Sequence, residues 1–327
     1  MATESTATPN SISDYLSIRM LGQYGPILGL IGLYLFFAFN TQNFLSYPNQ
    51  LNLLRQVSII GILAIGSTFV ILCAEIDLSI AEMMEFTGLL IASLATGGLL
   101  SSAVPIPVAI LAGLGAAIVL GGLSGYVTSR FGVPSFMTTL AMLFLADGFG
   151  QIVSSNRPII GLPDALLWLG SGDTFGFPNI VITFFVLLAL SQVILSYTRF
   201  GLYLYAVGGD ADAAELMGID VKFVRMGVLV LSAVFTVIAG IVMMGRIGSA
   251  TPNMGSNLLL PPIAAVILGG TDLFGGKGNM IGTLIGVLIL GSLSNGLNLM
   301  GIDPAGQLVA QGIVLMIAVL ANVAGDR

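Results

Sequence analysis

Residues 86–129 read FTGLLIASLATGGLLSSAVPIPVAILAGLGAAIVLGGLSGYVTS, a run of 44 residues without a charged side chain. A transmembrane helix needs about 20 predominantly apolar residues, so this run is long enough for two spans. A Gly97-Gly98 pair and Pro105 interrupt it near its middle, and glycine and proline both disfavour a continuous helix. The run therefore predicts two consecutive transmembrane helices joined by a short turn.

The composition of the whole chain is that of a membrane protein. Of its 327 residues, 56% are hydrophobic and 8% are charged, and the mean hydropathy is +1.02. A water-soluble protein of this length could not bury so much apolar surface, which excludes a soluble enzyme and a disordered chain. The absence of His and the single Cys73 exclude a structural zinc site, an internal disulfide and His-based acid–base chemistry. A net charge of −6 argues against a nucleic-acid partner.

Charge-free intervals predict an all-α polytopic fold with about ten transmembrane helices, counting residues 86–129 as two. The other intervals are 20–54, 56–74, 131–146, 174–198, 226–245, 247–271, 278–302 and 304–325, and the span that begins at 131 extends through Asp147 to about Ser154. The eighth span is short, because residues 258–269 would form only about 18 Å of helix against a hydrocarbon core of about 30 Å. We therefore expect broken or short elements near 74–85 and 250–270, which are stable at membrane depth only inside protein or beside a water-filled cavity.

The distribution of Lys and Arg predicts that both termini are cytoplasmic. With the N-terminus inside, seven basic residues lie in cytoplasmic segments and three lie outside. Residues 1–20 are polar and lack the basic region and short apolar core of a signal peptide. We expect a cytoplasmic tail over 1–20 and a transmembrane domain over 21–325. The loop at 197–226 is then cytoplasmic, and the loop at 154–179 is external.

The cytoplasmic loop contains GGDADAAELMGID at residues 208–220, which predicts a helix of about two turns. Asp210 can cap the N-terminus of this helix, and Gly218 can end it in the left-handed conformation. An isolated helix that short is marginal in water, so it needs a docking surface. The residues alone leave two candidates for that surface, the loops of this chain and a cytoplasmic partner.

Residues 269–278 read GGTDLFGGKG, with five glycines in ten residues beside the short eighth span. A phosphate-binding loop is disfavoured because no Ser or Thr follows the Gly-Lys pair and no strand precedes it. A tight connection between packed helices is the favoured interpretation. The TDL at 271–273 also echoes the IDL at 76–78. Repeated halves are common in transporters, and chance similarity explains the echo equally well.

Three stretches carry a resemblance to a known family. Residues 74–79, AEIDLS, are similar to its GGIDLS; residues 206–219 resemble its coupling loop; residues 269–283 resemble its Gly-Gly-Thr-x-Leu-x-Gly-Gly-x-Gly element. The NGLNL at 295–299 is a weaker match. The chain thus resembles the permease subunit of a bacterial ATP-binding-cassette (ABC) importer, in the ribose/simple-sugar permease family.

The resemblance implies a multi-pass subunit of the bacterial inner membrane that is not itself an enzyme. Two permease subunits, either two copies or this chain and a relative, would form the pathway. Cytoplasmic ATPase subunits would bind ATP-Mg, and a periplasmic sugar-binding protein would deliver a monosaccharide or related polyol for import by alternating access. This chain would contact membrane lipid and bind no cofactor or metal. The loop at 154–179 would either receive the binding protein or merely cover the spans.

The family's motifs assign expected roles residue by residue. The helix at 210–218 is the expected coupling helix, and the glycine-rich element is the expected structural turn. The coupling residues are Gly209, Asp210, Ala213, Ala214, Glu215 and Gly218. The turn residues are Gly269, Gly270, Asp272, Gly275, Gly276 and Gly278.

Intramembrane polar residues are the candidates for the substrate pathway, since buried acids are costly and carboxylates accept hydrogen bonds from sugar hydroxyls. The candidates are Asp77, Asp147, Asn295 and Asn298. Several alternatives stay open. Glu75 and Asp77 would be solvated if they lie at the cytoplasmic surface, Glu82 would start the third helix in a capping box with Ser79, and the asparagines would join helices. The alternative function is a proton-coupled secondary transporter that uses Glu75, Asp77 or Asp147 as a relay.

Overall fold

In a computed structural model, the backbone is described for residues 12–100 and 102–325, and side chains are described from residue 25 to 320 except residue 101. This part of the chain forms thirteen helices and one short hairpin. They are α1 (Ile12–Asn40), α2 (Tyr47–Leu72), α3 (Ile80–Thr96), α4 (Ile106–Phe131), α5 (Ser135–Ser154), α6 (Asp164–Ser171), β1 (Asp173–Thr174), β2 (Phe177–Pro178), α7 (Asn179–Tyr197), α8 (Arg199–Gly209), α9 (Ala211–Leu216), α10 (Val221–Ile247), α11 (Leu260–Leu268), α12 (Met280–Leu299) and α13 (Pro304–Gly325).

Six helices within these residues are long and apolar enough to cross a membrane: α2, α4, α5, α7, α10 and α12. The apolar parts of α1 and α13, Gly25–Asn40 and Pro304–Leu320, are shorter. Helix α3 has 17 residues and α11 has nine. The fold is that of a multi-pass membrane protein with six candidate spans. Ten spans remains a prediction, in which α1, α3, α11 and α13 would supply the other four.

The predicted boundary between the first two spans was wrong. Arg55 was expected to separate them, but it lies inside α2, and the chain breaks instead at residues 41–46. The Arg55 side chain is 42% exposed and contacts Asp173 at 3.3 Å, so its charge does not require a helix end. Helix α1 begins at Ile12, within the stretch expected to be a tail. Residues 1–11 of that predicted tail lie outside the described residues.

A short β-hairpin departs from the predicted all-α fold. Asp173 pairs with Pro178 and Thr174 with Phe177 in an antiparallel register. The two residues between the strands, Phe175 and Gly176, have φ values of +54° and +81°. Positive φ at both positions is the requirement of a two-residue hairpin turn, whose twist matches that of the strands. A strand pair this short has too little alternation to be seen in sequence.

Helices α2 and α10 form the centre of the molecule. Helix α10 packs against α2, α3, α4 and α6, and α2 also packs against α7, α11 and α12. A Cβ on Gly66 of α2 would lie only 3.3 Å from the Cα of Ser232 of α10. Small residues therefore let the two central helices approach closely, as is usual in membranes. Helices α4, α5 and α7 are less buried, with only 28% of the apolar span of each inside the protein.

The first irregular segment is mostly buried, and the second is partly buried. Residues 73–79 join α2 to α3, and residues 248–259 lead into α11. In the second segment the Glu85 carboxylate accepts hydrogen bonds from Asn253 N at 2.8 Å and Gly255 N at 3.0 Å. Met254 between them is 5% exposed. A buried carboxylate thus supplies the acceptors that a regular helix would otherwise provide to these donors.

Candidate functional site

The short helix expected from the sequence at 210–218 is present as α9. Asp210 Oδ1 accepts a hydrogen bond from Ala213 N at 2.9 Å and caps the helix. Ile219 N donates to Ala214 O at 3.1 Å, and Gly218 has φ +85°, which ends the helix. A short polar cap at one end and a glycine at the other set these bounds.

One face of helix α9 packs against the rest of the protein, and the opposite face is exposed. Ala214 is 1% exposed and belongs to the buried core around α2 and α10. Leu216 and Met217, in contrast, are 90% and 73% exposed. The other expected coupling residues are exposed: Gly209, Asp210, Ala213, Glu215 and Gly218. Sequence reasoning counted Leu216 with Ala213 and Ala214 in the small apolar surface of this helix but named neither Leu216 nor Met217 as a coupling residue, although two large apolar residues in a run of small and acidic ones were the available signal.

The glycine-rich loop at 269–278 is a compact turn between α11 and α12. Asp272 Oδ1 accepts a hydrogen bond from Phe274 N at 2.9 Å, and Asp272 N donates to Lys277 O at 2.9 Å. The backbone has φ +92° at Gly275 and +74° at Gly276, values that other residues rarely adopt. The remaining expected turn residues flank this core, with positive φ at Gly270 and Gly278 and tight packing at Gly269.

The structure brings the three family-like stretches together. Gly276 N donates a hydrogen bond to Leu72 O at 3.0 Å. A Cβ on Gly208 would lie 1.8 Å from Leu72 O, and a Cβ on Gly275 would lie 2.7 Å from Gly208 O. The end of α2, the end of α8 and the glycine-rich loop are therefore in backbone contact. We call the residues 72–74, 208–209 and 275–276 the glycine junction.

Two of the acids in the 73–79 segment are held by α10. Glu75 Oε1 lies 2.9 Å from the Nε of Arg225. Asp77 Oδ1 accepts from the backbone and hydroxyl of Ser79 at 2.9 and 2.7 Å, and its Oδ2 accepts from the Ser232 hydroxyl at 2.8 Å. Glu75 and Asp77 are 7% and 6% exposed, so the alternative that they are solvated is wrong. Seven residues of helix separate their partners, so the backbone positions of Arg225 and Ser232 lie about 10 Å apart along α10.

Hydroxyl groups of α5 hold the backbone of the same segment. Ile76 N donates to Ser135 Oγ at 2.9 Å, and Leu78 N donates to Thr139 Oγ1 at 3.0 Å. These contacts satisfy backbone donors that have no partner within a helix. The segment is therefore an internal element anchored on two sides.

Asp147 and Glu82 are the half-buried acids of the region. Asp147 lies on α5 and accepts a hydrogen bond from Gln151 Nε2 at 2.8 Å. Glu82 lies in the first turn of α3, and its Oε2 is buried without a hydrogen-bond partner among the described residues. The expected capping box is not formed, because the Ser79 hydroxyl donates to Asp77 instead of capping α3.

The two candidate asparagines differ in their surroundings. Asn295 is 4% exposed and exchanges hydrogen bonds with Asn49 of α2, at 2.9 and 3.1 Å. This reciprocal pair is the helix-joining role that the sequence left open. Asn298 is exposed near the end of α12. Among the described residues, no group of three His, Cys, Asp or Glu could hold a metal ion.

Comparison with known proteins decides the family. The family described as "Branched-chain amino acid transport system / permease component" matches residues 49–319. The ribose import permease of Haemophilus influenzae is 37% identical over 317 residues, 96% of this chain and 97% of the relative. The chain belongs to the ribose-type permease family of ABC importers. The ribose import permease of Bacillus subtilis is 39% identical (93% of both chains), and the fructose import permease of Rhizobium meliloti is 34% identical (82% and 75%).

Membership in this permease family confirms the predicted resemblance and fixes the class of activity. A permease component is a transport subunit and not an enzyme, and a separate subunit hydrolyses ATP. With six candidate spans, the chain is a multi-pass protein of the inner membrane. The description of the family names branched-chain amino acids, whereas the three relatives are named for sugars.

The loop at 154–179 of this permease has a packed side and an exposed side. Leu166 of α6 is 1% exposed, and a Cβ on Gly170 would lie 2.3 Å from the N of Arg246 at the end of α10. On the other side, Trp168 is 54% exposed and Phe175 is fully exposed. The loop therefore covers the end of α10 and also presents an aromatic surface, which is compatible with both roles considered for it.

Proposed function

We propose that this permease translocates a monosaccharide or related polyol into the cytoplasm as part of an ATP-driven importer. Relatives that cover most of the chain are named as ribose and fructose import permeases. Two permease subunits would form the pathway, two cytoplasmic ATPase subunits would drive it, and a periplasmic binding protein would dock on the loop at 154–179. Transport would proceed by alternating access.

The observation that carries the coupling role is the exposed apolar pair on α9. Leu216 and Met217 project from a helix whose caps and whose buried Ala214 hold it against the protein. A helix of six residues is not stable by itself, so its outward residues are presented on a fixed base. We propose that α9 is the coupling helix and that this pair inserts into an apolar pocket of the ATPase. Burial of each side chain is worth about 1.5–3 kcal/mol.

The proposed topology has ten spans with both termini in the cytoplasm. Six candidate spans and the two shorter apolar helices Gly25–Asn40 and Pro304–Leu320 support this count, and α3 and α11 would supply the remaining two. The excess of basic residues in the segments assigned to the cytoplasm supports the orientation. In this topology α9 and the glycine junction face the cytoplasm, and the Arg55–Asp173 contact lies at the periplasmic end.

The proposed pathway residues are Asp147 and Asn298. Asp77 and Asn295 could contact the substrate only if they gave up their hydrogen bonds within the protein. Asp147 is half-buried, and Asn298 is exposed. Asp77 and Asn295 already make two or more hydrogen bonds within the protein. The same engagement counts against Asp77 and Glu75 as proton relays. The secondary-transporter alternative is not favoured, because the relatives are import permeases of ABC type.

The coupling role is tested by co-purification of the ATPase subunit with a tagged chain in mild detergent. The double change Leu216→Ser and Met217→Ser should reduce recovery of the ATPase at least tenfold. The matched control is Leu202→Ser, which removes an apolar side chain of α8 that is 66% exposed. Recovery equal to that of the control would exclude the pair as the anchor. Ala214→Arg is a poor test, because Ala214 faces the permease's own core.

The substrate class is tested by uptake of labelled D-ribose and D-fructose into proteoliposomes that contain the permease, the ATPase and the binding protein. We expect uptake that requires internal ATP and persists when a protonophore abolishes the proton gradient. Uptake that collapses with the gradient and ignores ATP would establish the secondary-transporter alternative instead.

A further inference from the structure

The coupling helix is joined to α8 without a flexible linker. Asp210 is the single residue between the two helices. Its N–H donates to Ala206 O at 3.0 Å, which continues the hydrogen bonding of α8, while its side chain caps α9. A displacement of α9 by a partner therefore reaches the last turn of α8 directly.

The last turn of α8 is in close contact with the two other parts of the glycine junction. A Cβ on Gly208 would meet Leu72 O at 1.8 Å and Gly276 N at 2.7 Å, so there is no room for a side chain at this position. The hydroxyl of Tyr205 donates to Gly278 O at 2.7 Å and ties α8 to the glycine-rich loop a second time. The contacts of Gly208 are with backbone atoms, so at this position no side-chain rotamer lies between the elements to absorb a displacement.

Each of these two parts continues into one of the irregular elements. Beyond Leu72, the segment 73–79 carries Asp77, whose Oδ2 is bonded to Ser232 within α10. The glycine-rich loop connects α11 to α12. These two helices are packed so tightly that a Cβ on Gly286 would lie 1.8 Å from Ala265 O. The short helix α11 and the segment 73–79 thus share one point of attachment to α8.

We propose that the glycine junction is the element that links the coupling helix to the 73–79 segment and to α11, with Gly208 as its positioning residue. The proposal rests on the proposed function, since it requires that a partner moves α9. Movement of α8 and α9 then displaces the segment 73–79 and α11 together. Coupling between distant sites can be carried by such a contiguous packed path between elements that have two arrangements. The same junction gives the family-like glycine element a role beyond forming a turn.

The first test compares Gly208→Ala with Gly115→Ala in the reconstituted importer, with D-ribose as the probe. Gly115 of α4 is the matched control, because it lies outside the junction and the coupling helix, and a Cβ there has no other atom within 4 Å. We measure the number of ribose molecules imported per ATP hydrolysed. Gly208→Ala should keep the ATPase bound and hydrolysing while this ratio falls about tenfold, and Gly115→Ala should leave the ratio unchanged. Equal ratios in two assembled variants would overturn the proposal.

A milder variant tests the same linkage if Gly208→Ala does not fold. Tyr205→Phe removes only the hydroxyl that bonds to Gly278 O, and Tyr203→Phe on the same helix is its control, with a side chain 37% exposed. The ribose-to-ATP ratio should fall two- to threefold for Tyr205→Phe and stay constant for Tyr203→Phe. Equal ratios for both would overturn the linkage. Absence of ATP-dependent uptake by the unmutated complex would instead contradict the proposed function.

Discussion

The Asp-Leu pairs at 77–78 and 272–273 form the same local turn in two different surroundings. In each turn the Asp Oδ1 accepts a hydrogen bond at 2.9 Å from the backbone N–H two residues later. Each turn follows the end of one helix and precedes another, α2 and α3 in the first case, α11 and α12 in the second. Asp is favoured in such turns because its side chain mimics a backbone carbonyl.

The surroundings of the two turns separate their roles. Asp77 is 6% exposed, and its second carboxylate oxygen accepts from Ser232 on α10. Asp272 is half-buried, and the next residues, Leu273 and Phe274, are 41% and 84% exposed. The comparison teaches that turn chemistry can repeat without repeating function. The echo between the two stretches therefore has a local chemical cause and does not by itself require duplicated halves.

Among the changes that test this difference between the two turns, Asp77→Ala should cause the largest loss of stability. The change removes three hydrogen bonds and leaves the Ser79 and Ser232 hydroxyls buried without this acceptor, which should cost about 3 kcal/mol of unfolding free energy. Ser232→Ala, which removes one donor only, should cost about 1 kcal/mol. Unfolding of the purified permease in mild detergent measures both. A loss of unfolding free energy for Asp77→Ala no larger than that for Asp272→Ala would contradict the difference in surroundings between the two turns.

An intermediate effect is expected from Arg225→Gln beside the first turn. The change leaves the Glu75 carboxylate, 7% exposed, without its charged partner. Unpairing a buried charge is costly, but Arg225 is a third exposed, so we expect a loss of about 2 kcal/mol. The exposed Arg55–Asp173 contact supplies the control, and Asp173→Asn should change stability by less than about 1 kcal/mol. Similar losses for the two changes would contradict the assigned difference in burial.

The smallest effect is expected from Asp272→Ala in the second turn. It removes the acceptor for Phe274 N, but the Asp272 backbone bonds to Lys277 and Gly275 do not depend on the side chain. We expect a loss of about 1 kcal/mol. Asp272→Asn keeps an acceptor at the same place and should restore the stability of the unmutated chain. If Asn does not restore it, then the charge and not the turn is the important feature of Asp272.

Features that depend on neighbouring residues were accessible from the sequence. The cap at Asp210, the end of α9 at Gly218 and the tight turn at 269–278 follow from short-range hydrogen bonds and backbone preferences. The break before α11 follows from hydropathy, because too few apolar residues remain there to cross the membrane. The family resemblance added the order of these features along the chain.

Features that depend on distant residues were not accessible. The orientation of Ala214 toward the core, and hence of Leu216 and Met217 toward the exterior, depends on how α9 lies on α8 and α10. The position of Arg55 inside α2 was missed because its partner, Asp173, lies far along the chain. The hairpin at 173–178 was too short to produce a periodic pattern.

The sequence by itself determined that this chain is a membrane-embedded permease of a known family, because hydropathy and short motifs survive without knowledge of contacts. The tertiary structure alone decided which polar side chains are hydrogen-bonded within the protein. Asp77 is bonded to Ser232, and Asn295 is bonded to Asn49. It also decided that Gly208 lies against the backbone of Leu72. The physical reason is that burial and hydrogen-bond satisfaction are properties of pairs of residues, and these pairs are formed by helices that only packing brings together.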